Sequence, residues 1–112
     1  MCGQNQAFLL AQTAAKEARE QLGDKYDSVV LYGSYARGDF EEGSDVDLMV
    51  KINCSPQELA AFESFFARLS SRLSLRFDVT VSIVTVALET FNRFKRALPF
   101  YANVEREGIQ VA

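Results

Sequence analysis

The chain contains no histidine, and only two of its 112 residues are cysteine. Without histidine it has no imidazole acid or base and no Ser-His-Asp hydrolytic triad. A metal site here would be built from oxygen, which favours magnesium or manganese over zinc. The two cysteines, Cys2 and Cys54, show no metal-ligand spacing. A reduced, cytoplasmic protein is a simpler reading than a disulfide. A basic excess is also missing. Twelve Lys and Arg against 15 Asp and Glu give a net charge of −3, which argues against direct nucleic-acid binding. No apolar run approaches a membrane span, and no basic-then-apolar leader opens the chain. Repeats, low-complexity tracts and linkers are absent too, so residues 1–112 read as a single domain.

What is present suits a compact core: 48% of the residues are apolar, and nine are Phe. Residues 5–22 read as a helix, with Phe8, Ala11, Ala15, Ala18 and Leu22 at three- and four-residue steps. Gly23 and Asp24 stop it. Residues 28–32 form a continuous apolar run, as in a buried strand. Across 45–52, Val46, Leu48, Val50 and Ile52 take one strand face, and Asp45, Asp47, Met49 and Lys51 the other. Ser55-Pro56-Gln57-Glu58 is a capping box ahead of a helix with a stripe at Leu59, Phe62, Phe66, Leu69 and Leu73. Residues 75–84 alternate again, which predicts a third strand with Asp78, Thr80 and Ser82 on its polar face. A last helix is expected over about 86–97, broken near Pro99, with a short turn leading to Glu107-Gly108-Ile109. The order predicts an α+β fold: a mixed sheet of three or four strands with helices packed on one face.

Residues 33–47 carry the chemistry. Gly33-Ser34 follows a strand and opens a helical turn, where backbone N–H groups and a hydroxyl can cradle a phosphate. An ordinary serine-capped turn would look the same in isolation. Here, however, one continuous segment also leads to Asp45 and Asp47, whose carboxylates leave the same strand face. Asp78, on the polar face of the expected third strand, is placed to join them. Carboxylates so grouped repel one another unless a cation neutralises them, and a pair of hard divalent ions would also serve phosphoryl chemistry. Arg37 has two readings, phosphate contact or pairing with Asp39 or Glu41. Gly38 and Gly43 turn the connecting loop, and Ser44 ties it down locally. A calcium loop counted from Asp39 fails, because its sixth and twelfth positions hold Ser44 and Val50 rather than glycine and glutamate.

These residues resemble the nucleotidyltransferase superfamily that includes DNA polymerase beta. The family pattern is Gly-Ser, ten residues and Asp-x-Asp, with a third aspartate on a later strand; Gly33-Ser34, Tyr35 to Ser44 and Asp45-Val46-Asp47 match it. The segment is most similar to the minimal nucleotidyltransferases of prokaryotes, and the tail from Phe100 to Ile109 is similar to their usual ending. The resemblance implies that Gly33, Ser34 and Arg37 bind the nucleotide, and that Asp45, Asp47 and Asp78 are the catalytic metal ligands. It further implies two Mg2+ ions, or Mn2+ in their place, with ATP as substrate. Many such proteins are antitoxins of HEPN-domain toxins, neutralising them by moving AMP onto a tyrosine.

That makes an adenylyltransferase antitoxin with a HEPN partner the leading expectation. Against it stand a non-catalytic antitoxin that blocks its toxin by contact, and a transferase acting on a small hydroxyl compound. Nucleotide addition to RNA or DNA is disfavoured by the acidic balance. Phe91, Phe94, Phe100 and Tyr101 read either as a partner surface or as core around the last helix.

Overall fold

Small side chains at helical spacing let the first helix lie close on a sheet. In the computed structural model, which describes residues 3–111, α1 (Gln4–Leu22) buries Ala7, Leu10, Ala11, Ala14, Ala15, Ala18 and Leu22. They face β1 (Tyr26–Tyr32) and β2 (Val46–Ile52), joined through the four-residue helix α2 (Ser34–Arg37) and a loop. Ser55 and Glu58 then open a 3-10 segment, Pro56–Phe62, the Glu58 carboxylate accepting the Ser55 N–H at 2.9 Å. It runs into α3 (Glu63–Phe77), which buries Phe66, Leu69 and Leu73 against the same sheet face. β3 (Val81–Ala87), α4 (Leu88–Phe94), α5 (Pro99–Glu107) and the two-residue β4 (Ile109–Gln110) complete the chain.

The sheet is mixed and four-stranded, in the order β3-β2-β1-β4. β1 is antiparallel to β2 and β4, whereas β2 and β3 are parallel. This is the α+β fold that the sequence predicts, with one addition. Val30, Met49, Val86, Phe91 and Val104 form a smaller cluster in which α4 and α5 cover part of the second face. The alternation along β2 holds: Val46, Leu48, Val50 and Ile52 are all buried on the α1–α3 side.

Two stretches depart from the sequence expectation. Residues 75–77 finish α3 instead of opening a strand, because Phe77 continues the four-residue step of Leu69 and Leu73. The Ser70 hydroxyl donates to the Val81 carbonyl at 2.6 Å, and the Val81 N–H donates to the Ser74 hydroxyl at 3.0 Å, so pairing begins at Val81. Beyond the break near Pro99 the chain forms α5, where a turn was expected, with the proline at its N-terminal start. Gly108 then lets the chain pass against β1, where a Cβ would run into Val104 and Val30. No helix among the described residues is long and apolar enough to cross a membrane. Cys54 is a free thiol, and Cys2 lies outside the described residues.

Candidate active site

The buried run Val29-Val30-Leu31 carries the chain straight into Gly33, whose backbone stands at φ 75°, ψ −156°. That region is essentially open to glycine alone. The Ala36 and Arg37 N–H groups both donate to the Gly33 carbonyl at 3.1 Å, which winds the chain into α2. Tyr35 is buried and stacks on Phe40 with ring centroids 4.3 Å apart, pinning the loop from beneath. At its far end the Glu41 N–H donates to the Ser44 hydroxyl at 2.9 Å, the local tie the sequence suggested. β2 then brings Asp47 back beside the turn. A Cβ on Gly33 would collide with the Asp47 carboxylate, so the Gly-Ser turn and the second aspartate are in contact.

Asp47 stands on the face opposite α1 and α3, between the buried Val46 and Leu48, and Asp45, just before β2, is close enough for its charge to act on it. Asp47 is half-buried, and its carboxyl is raised above the usual range by that burial and then by the Asp45 charge, with Arg37 opposing. Two oxygen donors that disfavour each other's charge suit a hard divalent cation. Pairing across the sheet puts Tyr32 on one side of Asp47 and Ser82 on the other. The Tyr32 phenol is pushed up to about 12 by burial and by Asp47, so it stays protonated near neutral pH. Neither Tyr32 nor Ser82 stands out in the sequence. Their places follow only from strand register.

Arg37 takes the second of its two readings in part. Its guanidinium binds Asp39 and also Glu107 at the end of α5, each at 3.1 Å. It does so at the wall of a cavity of about 220 Å³, lined by Tyr32, Gly33, Phe100, Asn103 and Glu107 among others. Phosphate contact would therefore compete with two carboxylates. Lys51 stands elsewhere on this face, its Nζ 3.7 Å from the centroid of the Phe91 ring.

The expected place of Asp78 is corrected. It caps α3 in the left-handed region at φ 53°, ψ 51°, a conformation aspartate tolerates better than most residues, and it precedes β3. It lines a larger cavity of about 540 Å³ together with Tyr35, Ser44 and Ser74, and neither Asp45 nor Asp47 lines that space. Among the described residues no three His, Cys, Asp or Glu side chains are grouped to hold a metal. The late aromatics also divide. Phe91 is fully buried and Tyr101 partly so, whereas Phe94, Leu98 and Phe100 are 37%, 45% and 45% exposed.

The glycine turn and the strand carboxylate both lie within residues 13–109, which match the nucleotidyltransferase domain family, and the chain belongs to that family. The enzyme class is therefore a nucleotidyltransferase. Among its relatives, MJ0141 of Methanocaldococcus jannaschii carries a provisional protein adenylyltransferase name. The two are 33% identical over 98 residues, covering 86% of this chain and 89% of that protein. Protein adenylyltransferase MntA of Thermococcus cleftensis is 36% identical over 66 residues, 59% of this chain and 64% of its own. The fold is also that of a solved toxin–antitoxin complex with AMP-PNP, at TM-score 0.56 and 20% identity over 90% of this chain and 72% of the other. A solved MntA–HpeT toxin–antitoxin complex gives a TM-score of 0.57 at 18% identity, with the same coverage.

Proposed function

We propose that the protein transfers AMP from ATP to a tyrosine of a cognate HEPN-family toxin and so acts as its antitoxin. The observation that carries this reading is the contact between Gly33 and the Asp47 carboxylate. It brings a turn that would suit a phosphate and a carboxylate that would suit a cation to one point. Gly33 and Ser34 would seat the triphosphate, and Asp45 and Asp47 would hold a divalent cation such as Mg2+ or Mn2+. When bound, that cation would neutralise the phosphate oxygens and steady the leaving pyrophosphate. The acceptor oxygen bonds to the α-phosphorus as the bond to the β-phosphate breaks. The pair of electrons in that bond leaves with pyrophosphate, and the hydroxyl proton passes to water. The chain's own contribution is positioning and charge complementarity. Asp78 takes no part in this scheme.

Phe94, Leu98 and Phe100 leave apolar side chains exposed around the turn between α4 and α5. Phe100 also lines the cavity beside Gly33 and Arg37. A toxin docked there would present its tyrosine to the nucleotide. The test is incubation with α-labelled ATP, magnesium and the HEPN partner, followed by mass spectrometry for added AMP. Transfer lost in Asp45→Asn and Asp47→Asn supports the reading. Tight binding with no transfer would leave an antitoxin that acts by contact alone.

A further inference from the structure

We infer that Ser82 fills the third strand position of the cation site and limits the site to one bound divalent cation. The inference rests on the proposed nucleotide chemistry and deepens it. β2 and β3 are parallel, with Asp47 paired to Ser82, Met49 to Val84 and Lys51 to Val86. Paired residues point to the same side. Met49 and Val86 meet in the second core cluster, with Val84 packed against it, which fixes that side as the one carrying Asp47. Ser82 is therefore the β3 residue nearest Asp47 on the reacting face. The row across three strands reads Tyr32, Asp47, Ser82: one carboxylate between two neutral hydroxyls.

Among the described residues the rest of the face groups no substitute with them. Asp45 lies just before the first paired residue of β2, where the Val46 N–H bonds to the Thr80 carbonyl at 2.9 Å, so its neighbour on the β3 side is again a hydroxyl residue. Asp78 is four positions before Ser82, in the turn that caps α3. Two carboxylates and the phosphates of a nucleotide satisfy one octahedral cation, which ordinarily keeps several waters. A second dication about 4 Å away would face strong repulsion, and among the described residues no third carboxylate is grouped with Asp45 and Asp47 to offset it, Glu107 being held by Arg37. A serine hydroxyl supplies a lone pair and no charge.

Manganese retained per chain can be counted by equilibrium dialysis with saturating AMP-PNP, in wild type, Ser82→Asp and the uncharged control Ser82→Asn. The expected counts are about one, about two and about one. Ser82→Asp should also speed AMP transfer, while circular dichroism confirms that the fold is kept. About two ions on wild type, or about one on a folded Ser82→Asp, overturns the inference. Should Ser82→Asp fail to fold, the wild-type count decides alone. If wild type retains neither manganese nor AMP-PNP, the nucleotide reading fails and the inference with it. One ion with AMP-PNP but no AMP transfer would sink only the transfer, and the count would still support the inference.

Discussion

Replacing Gly33 with alanine tests the central geometry. The residue stands at φ 75°, ψ −156°, and its missing Cβ makes room for the Asp47 carboxylate. Alanine in that backbone region costs about 1–3 kcal/mol. For a domain of this size such a loss lowers the melting temperature by roughly 5–15 °C. Strain alone is not the point, so a matched control is needed. Gly23, at φ 59°, ψ −125°, has nothing within 4 Å of its Cβ position. Gly23→Ala should therefore lose stability through the backbone term only. Gly33→Ala must in addition displace Asp47, and a shift of about 1 Å in a reacting group can cost about 100-fold in rate. Scanning fluorimetry would give both melting temperatures, and calorimetric titration with manganese and AMP-PNP would give both affinities. The expected pattern is two destabilised proteins, of which only Gly33→Ala has lost affinity. Wild-type affinity in a folded Gly33→Ala would refute the argument that the turn and the carboxylate share one site.

Asp47→Asn should raise the melting temperature in chelator and lower it relative to wild type once manganese and AMP-PNP are added. Burial and Asp45 disfavour the Asp47 charge until a cation arrives, and thermal melts under both conditions would show the crossing. Arg37→Ala should leave the melting temperature nearly unchanged, because its partners are exposed ion pairs. It should alter the salt dependence of AMP-PNP binding, and an unaltered salt profile would remove Arg37 from the nucleotide site. Lys51 has its pKa lowered from 10.5 by burial, reinforced by Lys95 and opposed by Glu105 and Asp27. Unfolding then takes up a proton at alkaline pH, so stability should rise with pH as the folded-state group loses its charge below 10.5. Lys51→Met should flatten that rise in urea titrations across the alkaline range, and an unchanged slope would refute the assignment.

Much of the fold is legible in the sequence. The alanine spacing of α1 and the alternation of β2 are period signals, and burial follows them directly. The Gly-Ser turn and Asp45-x-Asp47 are local in the chain, so their juxtaposition could be expected from residue types and spacing. Asp78 shows the limit. A short apolar–polar alternation also fits the end of an amphipathic helix, and residues 75–77 satisfy both patterns. The choice was made by Ser70 and Ser74, which tie α3 to Val81, contacts that exist only once helix and strand are side by side. Likewise Pro99 reads equally as the end of one helix or the start of the next.

By itself, the sequence determined the class of protein, a nucleotidyltransferase domain, and it set out the residues from which oxygen-ligand cation and phosphate chemistry are expected: no histidine, a Gly-Ser turn and two aspartates one residue apart. Tertiary structure alone decided which residues stand beside those groups. Strand register pairs residues far apart in the chain; the local alternation fixes which face each residue takes but not which residue of another strand lies beside it. Only the parallel pairing of β2 with β3 sets Ser82 beside Asp47, and only the return of α5 to the end of β1 sets Glu107 against Arg37.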